Sequence, residues 1–259
     1  MRASRTTWRA AAAAVVSTWS LVASAETVDE ILARNAAARG GLEAWRAVTS
    51  MRMAGQMDVG RGMRVPFRLE QKRPRKMRLE FEFDGTTAVQ AFDGSAGWKR
   101  MPFLGRDEVL PFSEAEARGA AGQVDLDGPL LDCRARGESV ELLGQEKVEG
   151  RDAFKLKVAT PAGLERVVYV DVQNGLEVRV ESAQVLRGGE KRVDTFFRDY
   201  REVQGLLIAH VVESRLSDAS VGQKLAIESV QINPRLDDAR FDTPAPPRPV
   251  GSVPKGSSP

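Results

Sequence analysis

The stretch KMRLEFEFDGTTAVQAFDGSAGWK, residues 76–99, carries the clearest structural pattern in the chain. Its first part alternates between apolar and charged residues, which is the period of a β-strand with one covered face. The apolar positions are Met77, Leu79, Phe81 and Phe83. The pairs Asp84-Gly85 and Asp93-Gly94 are typical of tight hairpin turns, because glycine adopts positive φ without strain. The stretch therefore predicts three antiparallel strands whose apolar face must be covered.

Alternating segments continue on both sides of this stretch. Residues 49–59 and 63–72 predict two strands before it, and Pro66 in the second favours an edge strand or a bulge. Further such segments follow between residues 138 and 232, joined by short turns such as Asn174-Gly175. About twelve consecutive antiparallel strands must curl or divide into two sheets, and short hairpins favour a barrel-like curl. The sequence therefore predicts a mainly β protein with a few helices.

The first helical pattern lies before all the strands. Residues 27–47 are amphipathic and are interrupted at Gly40-Gly41, which indicates two helical pieces joined by a bend. Thr27 followed by Glu30 fits a capping box at the start of the first piece. A helix at this position is expected to lie across the sheet or in its mouth.

Two further helices are predicted in the middle of the chain. A second capping box at Ser113 begins a short helix that reaches about Ala121. The segment 129–136 predicts another, with proline at its first position and Gly137 just past its end. The segment PFLGRDEVLPF, residues 102–112, contains two prolines and a glycine and is interpreted as a loop.

The two ends of the chain differ in composition from the rest. Residues 1–25 combine three arginines, a short apolar region and the sequence Ala23-Ser24-Ala25, which is typical of a cleavable signal peptide. We therefore expect export to a bacterial periplasm as a soluble protein without a membrane span. Residues 26–243 are expected to form a single domain, and the Pro/Gly/Ser-rich residues 244–259 a disordered tail.

Charge gives little indication of a nucleic-acid partner. Removal of the three arginines of the leader lowers the formal net charge from +2 to −1. The local sequence KRPRKMR, residues 72–78, is nevertheless strongly basic. It is interpreted either as a solvated hairpin turn or as a patch that faces anionic lipid headgroups.

Residue types for catalysis or metal binding are few. The chain has one histidine, His210, and one cysteine, Cys133, and both are interpreted as structural. The sequence DLDG at residues 125–128 lacks the remaining ligands of a calcium loop, and no clustered zinc ligands are present. We expect no enzyme activity, no metal and no cofactor. A hydrolase that uses Ser95 and His210 is a further hypothesis, although no G-x-S-x-G motif supports it.

Five segments together resemble the LolA-like family of periplasmic proteins that sort outer-membrane lipoproteins. They are residues 36–55, 92–105, 127–158, 196–210 and 232–244, and they span nearly the whole chain after the leader. The resemblance implies an incomplete, unclosed antiparallel β-barrel of about eleven strands, with helices plugging its concave side. It further implies an apolar interior that holds lipoprotein acyl chains. No position is matched to the arginine that holds the lid in carriers of the family.

The apolar strand faces are the expected ligand site. The residues expected to line it are Phe67, Leu69, Met77, Leu79, Phe81, Phe83, Trp98 and Tyr169. The leading hypothesis is a carrier for lipoprotein acyl chains or another lipid, whose helices fill the barrel mouth when empty and swing out when loaded. Transient contacts with inner- and outer-membrane transport proteins would follow. The alternative is a lipid-sensing or protein-interaction module of the same fold without transport activity.

Overall fold

A computed structural model describes residues 26–60, 62–123, 125–186, 189–217 and 222–245 of the chain. The leader predicted for residues 1–25, and the predicted tail from residue 246 onward, lie outside the described residues. Within the described ranges, no helix is long and apolar enough to cross a membrane.

Three α-helices and thirteen strands are found in the part of the chain that the structure describes. The helices are α1 (Val28–Ala38), α2 (Leu42–Arg46) and α3 (Glu114–Gln123). The strands are β1 (Ser50–Asp58), β2 (Arg64–Lys72), β3 (Lys76–Phe83), β4 (Thr86–Phe92), β5 (Gly97–Met101), β6 (Arg106–Pro111), β7 (Ser139–Val148), β8 (Arg151–Ala159), β9 (Glu165–Asp171), β10 (Glu177–Leu186), β11 (Gly189–Val203), β12 (Leu206–Leu216) and β13 (Gly222–Ile232).

All thirteen strands belong to one antiparallel sheet. Its order is β6-β5-β4-β3-β2-β1-β13-β12-β11-β10-β9-β8-β7. Consecutive strands pair with each other except β6 and β7, and β1 pairs with β13 in the middle of the sheet. The two edges, β6 and β7, do not pair with each other, so the sheet is not closed. The predicted fold class, an unclosed antiparallel barrel with a few helices, is confirmed.

Helix α3 shows how strongly the sheet curls. It contacts both β5 and β10, which lie eight strands apart in the sheet order. In a flat sheet these strands would lie about 40 Å apart, because neighbouring strands are spaced by about 4.8 Å. A helix of ten residues is only about 15 Å long. The sheet must therefore bend so that its two halves face each other.

The main core lies on the face of the sheet on which α1 and α2 pack, called the inner face below. Trp45 of α2 packs with Met51, Phe67 and Ile208, and Ile31 of α1 packs with Phe154 and its neighbours on β8 and β9. The predicted break between the two helical pieces is confirmed. A Cβ at Gly40, whose φ is +105°, would lie 2.2 Å from the carbonyl oxygen of Gly205, so only glycine allows this approach.

The predicted capping boxes of both longer helices are also present. The Glu30 carboxylate accepts from the backbone N–H of Thr27 at 2.7 Å, and the hydroxyl of Thr27 accepts from the N–H of Glu30 at 3.3 Å. The Glu116 carboxylate accepts in the same way from the N–H of Ser113, at 2.9 Å. These reciprocal bonds satisfy backbone donors that the first turn of a helix leaves free.

Three sequence predictions about local structure are wrong. Residues 106–111 form the edge strand β6 rather than a loop, and an edge position tolerates Pro111. The predicted helix at 129–136 is a series of turns, because Asp132 adopts a left-handed φ of +56°. Strand β2 is neither bulged nor at an edge. Its pairing with β3 begins only at Phe67, so Pro66 lies outside that ladder.

The outer face of β1–β5 is covered by the end of the described chain. Phe241 is fully buried there, and its carbonyl oxygen accepts from Trp98 Nε1 at 3.1 Å. Arg240 Nε donates to the buried carboxylate of Glu70 at 2.7 Å, and Arg52 donates to the same carboxylate at 2.8 Å. Residues 234–241 therefore pack as part of the fold.

Candidate functional site

The inner face of β2 and β3 carries a continuous apolar surface. Phe67 lies opposite Phe81, and Leu69 lies opposite Leu79 in the strand register. Leu69, Met77, Leu79, Phe81 and Phe83 are all partly exposed, and we call these five residues the apolar floor. Phe67 is buried among them. The register thus brings together six of the eight residues predicted to line a ligand site.

Phe103 belongs to the same surface and was missed by sequence reasoning. It lies on a short 3₁₀ helix, Pro102–Leu104, and its ring centroid is 5.9 Å from that of Phe81 and 5.2 Å from that of Phe83. The rings are tilted by 52° and 59°, which is a favourable packing of aromatic side chains. The segment resembled a surface loop in sequence, and no periodic pattern indicated its contact with β3.

Trp98 and Tyr169, the other two predicted lining residues, lie on the outer face. In the strand register Trp98 lies opposite Ala91, and Ala91 lies opposite Arg78. Arg78 is next to Leu79 in β3 and therefore points to the other face of the sheet, so Trp98 is on the outer face. Tyr169 is fully buried against Phe196, with its hydroxyl 2.5 Å from Glu181. Burial and this hydrogen bond raise the pKa of Tyr169 to about 12. Neither side chain is placed to contact a molecule on the apolar floor.

Helix α3 spans the inner face, and the side chains described for it, at residues 114–120, make few strong contacts. The Lys99 ammonium, on the inner face of β5, forms an ion pair with Glu116 of α3. Burial raises the pKa of the Glu116 carboxyl, but hydrogen bonds from Lys99 and Ser113 outweigh it and hold that pKa below its ordinary value. The side chains described for the helix, at residues 114–120, are alanine, glycine or charged. They supply no large apolar group to fill the space over the floor.

Residues 125–138, called the anchor segment below, are held very differently. Leu126, Leu130, Leu131 and Cys133 of this segment are buried. Arg136 donates to the carbonyl oxygens of residues 128, 129 and 131, at 3.3, 3.2 and 2.6 Å. These carbonyls would otherwise accept within a helix, which explains further why none forms.

Two arginines from other elements fix the anchor segment to helix α2 and the sheet. Arg73, in the β2–β3 turn, donates to Asp127 and to the carbonyl oxygens of Trp45 at 3.1 Å and Val48 at 2.7 Å. Arg46 of α2 forms a bidentate pair with Asp132, at 2.7 and 2.9 Å. These bonds leave no freedom for the segment to move without breaking several of them.

A buried ion pair joins α1 to the same region. Arg39 Nη1 donates to Glu177 Oε1 at 3.1 Å and to the carbonyl oxygen of Asp127 at 3.0 Å. The guanidinium lies 4.4 Å from the centroid of the Trp45 ring. Side chains of both charged residues are at most one-tenth exposed, so the loss of either partner alone would leave an uncompensated buried charge. Helix α1 therefore belongs to the fixed part of the molecule.

The basic turn at residues 72–78 is occupied by internal contacts. Lys72 and Lys76 both reach Asp238, at 2.7 and 3.4 Å, and Arg78 binds Glu80 at 2.7 Å. Arg75 lies 3.7 Å from Asp125. Together with Arg73 at Asp127, these contacts neutralise much of the patch, which weakens the hypothesis that it faces anionic lipid headgroups.

The structure places the remaining chemically active residues apart. His210 is buried, with its Nδ1 2.9 Å from the carbonyl oxygen of Ile208. Burial raises the pKa of the Cys133 thiol, which disfavours a reactive thiolate. Among the described residues, no group of three or more His, Cys, Asp or Glu side chains is arranged to hold a metal ion.

Two cavities lie outside the apolar floor. One of about 340 Å³ lies where the β7–β8 and β9–β10 turns meet β11, and its charged residues are engaged with one another, such as Arg198 with Glu149. The other, of about 180 Å³, lies between the β2–β3 turn and the anchor segment. Paired charges at the larger cavity make it a poor fit for an acyl chain.

Comparison with solved structures identifies the architecture. A LolA superfamily protein from Nitrosomonas europaea superposes with a TM-score of 0.56, over 84% of this chain and 98% of that one, at 14% identity. The chain has a LolA-like fold. A DUF1329 family protein from Desulfovibrio piger gives a TM-score of 0.57 over 83% and 97% of the two chains, also at 14% identity.

A third structure with the LolA-like fold carries a functional description. It is a putative outer membrane lipoprotein-sorting protein domain from Vibrio parahaemolyticus, with a TM-score of 0.50 at 17% identity, covering 79% of this chain and 97% of that one. The chain matches no protein-family model and no curated protein. The comparisons thus support the resemblance found in the sequence at the level of the fold.

Proposed function

We propose that the apolar floor binds the acyl chain of a lipoprotein or another lipid, and that the protein carries this cargo through the periplasm towards the outer membrane. The observation that carries the proposal is the partial exposure of five large apolar side chains on the inner face of a curled sheet. Folded proteins bury such residues when nothing else covers them. The leader sequence and the LolA-like fold support the same proposal.

The energetics favour an acyl chain as cargo. Each buried methylene contributes about 0.8 kcal/mol, so a chain of about sixteen carbons contributes on the order of 10 kcal/mol before ordering costs. Phe81, Phe83 and Phe103 offer flat, rigid surfaces against such a chain. A ligand of this kind needs neither a cofactor nor catalytic residues, and we propose no enzymatic step.

Helix α3 is the part of the structure that we assign as the lid. Swinging α1 and α2 outward, as the sequence suggested, would break the Arg39–Glu177 pair and the contacts of Arg73 and Arg46. Among the side chains described for α3, at residues 114–120, moving the helix would break the partly exposed Lys99–Glu116 pair and contacts of small residues. Loading and release by membrane transport proteins would then act on α3.

A groove-filling substitution tests the proposal directly. The chain is purified after export, its lipid content is read by native mass spectrometry, and the affinity for a fluorescent fatty acid is measured. Leu79→Trp fills the floor and is expected to weaken probe binding by at least about tenfold, equivalent to about 1.4 kcal/mol. Glu82→Trp places the same ring on the exposed outer face of the same strand and serves as the control.

The outcomes separate the carrier from the alternatives. If no lipid co-purifies and the probe does not bind, the carrier proposal is wrong. If the probe binds but is never transferred to acceptor vesicles, a lipid-sensing module of the same fold explains the site better. Equal probe affinities for Leu79→Trp and Glu82→Trp would place the ligand elsewhere in the molecule.

A further inference from the structure

The turn between β1 and β2 exposes two large apolar side chains at the end of the sheet. Val59 is 42% exposed and Met63 is 45% exposed. The N–H of Val59 donates to the carbonyl oxygen of Met63 at 3.0 Å, so the two residues close the hairpin side by side. Asp58 braces the turn, because its carboxylate accepts from the N–H of Gly60 at 2.8 Å. We call Val59, Gly60, Gly62 and Met63 the β1–β2 tip.

The strand register connects this tip to the apolar interior. Met53 lies opposite Leu69, and Met57 lies opposite Val65, on the inner face of the sheet. Val59 follows Met57 by two residues and Met63 precedes Val65 by two, which is the period of side chains on one face of a strand. The tip therefore continues the inner apolar pattern past the ends of β1 and β2, where its side chains are exposed, whereas Met57 and Val65 are buried.

Basic residues surround the apolar tip. Arg64 is exposed beside Met63, and Lys224 of β13, which lies opposite Asp58, is exposed as well. Asp58 is the only acid between residues 57 and 65, and in the strand register it lies opposite both Arg64 and Lys224. The next turn along this end, between β3 and β4, carries one acid, Asp84. Apolar side chains flanked by cations are typical of segments that enter the interface of an anionic bilayer.

We propose that the β1–β2 tip docks this protein on an anionic lipid bilayer, with Val59 and Met63 entering the interface. Docking would set the end of the inner apolar pattern against the membrane, so that an acyl chain moves between bilayer and floor without crossing water. This inference rests on the proposed carrier function, and it adds the surface at which cargo is exchanged. Because only two apolar side chains and a few charges would contact the bilayer, we expect the binding to be weak and reversible.

An environment-sensitive label at the tip tests the docking. Met63→Cys is labelled with a nitrobenzoxadiazole dye, and the only native cysteine, Cys133, is buried and resists labelling. Dye emission is expected to rise severalfold and to shift to the blue with phosphatidylglycerol vesicles, and to change little with phosphatidylcholine vesicles. Leu143→Cys, at an exposed apolar site on the edge strand β7, is the control and is expected to give no response to either vesicle.

A flotation assay on unlabelled protein provides the second measurement. Val59→Ser with Met63→Ser is expected to lower the vesicle-bound fraction at least fivefold, and Leu143→Ser to leave it unchanged. Both proteins should bind a soluble fatty-acid probe as the unsubstituted chain does, since neither change touches the apolar floor.

The two proposals fail in different ways. If the tip variant floats as well as the unsubstituted protein, or if the dye at position 63 does not respond to anionic vesicles, the docking inference is wrong while probe binding stands. If the probe does not bind in solution, the carrier proposal is wrong, whatever the vesicles show. Docking on a protein partner instead would appear as no vesicle response at all and would also overturn the inference.

Discussion

The chain between β6 and β7 contains two parts that cross the inner face, and they are held there in opposite ways. The anchor segment buries three leucines and a cysteine and receives hydrogen bonds from Arg39, Arg73 and Arg136. Helix α3 has regular secondary structure and a capping box, but the side chains described for it, at residues 114–120, contribute an ion pair and contacts of small residues. Regular structure is therefore a poor guide to which part is fixed.

The difference indicates that the two parts of the connection between β6 and β7 have different roles, one fixed and one movable. A segment without helix can be immobile when buried charges and carbonyls pair on all sides. A helix whose stability is mainly local can leave its surface without unfolding, because it loses few packing contacts. We expect substitutions that break contacts of the anchor segment to lower the free energy of unfolding, and substitutions that release α3 to change access to the apolar floor.

Breaking the Arg39–Glu177 pair should have the largest effect. Arg39→Met leaves the Glu177 carboxylate buried without its cation, and we expect a loss of about 3–5 kcal/mol in the free energy of unfolding by urea. Adding Glu177→Leu removes the uncompensated charge and should recover most of that loss. A loss below about 1 kcal/mol for Arg39→Met would show that the anchor is not what fixes α1.

The two tyrosines provide an intermediate test at alkaline pH. Tyr169 and Tyr200 are the only tyrosines, and burial raises the pKa of both, that of Tyr169 to about 12. The folded state therefore keeps protons that the unfolded chain releases near pH 10, so stability falls as pH rises from about 10 towards 12. Near-ultraviolet absorbance should show tyrosinate only with alkaline unfolding.

A substitution separates the two tyrosines. Tyr200→Phe removes the hydroxyl that donates to the carbonyl oxygen of Glu177 at 2.9 Å and leaves Tyr169 as the one remaining phenol. Titration of either tyrosine near pH 10 in protein that is still folded would contradict the burial described here.

Releasing α3 should have the smallest effect on stability and a clear effect on access. Lys99→Ala removes the partner of Glu116, and we expect a change within about 1 kcal/mol in the free energy of unfolding. Amide protection in α3 should fall, and a fatty-acid probe should associate severalfold faster. Lys157→Ala breaks a comparable pair with Glu165 far from α3 and should change neither quantity. Unaltered association with Lys99→Ala would argue against α3 as the lid.

Much of the sheet could be predicted from short-range patterns. Strands β3 and β4 begin and end as predicted, because strict alternation and Asp-Gly turns specify both the strand and its ends. Strand β6 was missed, since a short edge strand with a terminal proline carries no alternation to detect. The helix predicted at 129–136 was wrong because the Arg136 side chain donates hydrogen bonds to carbonyl oxygens that a helix would use. This arrangement forms only in the folded protein, so the local sequence does not indicate it.

The ligand surface could be predicted only within single strands. Alternation shows that Leu79, Phe81 and Phe83 share a face, but it does not say which face of the next strand joins them. Register decides this, and one residue of offset exchanges the faces. Trp98 lies opposite Ala91 and hence on the outer face. Phe103 reaches the floor from a 3₁₀ helix, and such a tertiary contact leaves no trace in local sequence.

The pairing of β1 with β13 has a consequence for how this molecule is made. Met51 pairs with Ile232, so the centre of the sheet joins the first and the last of the described strands. Strand β1 therefore lacks one of its two neighbours until β13 has left the ribosome and, for an exported chain, has crossed the membrane. Contacts so distant in sequence fold slowly. The nascent protein must therefore remain open, and in need of protection from aggregation, until β13 arrives.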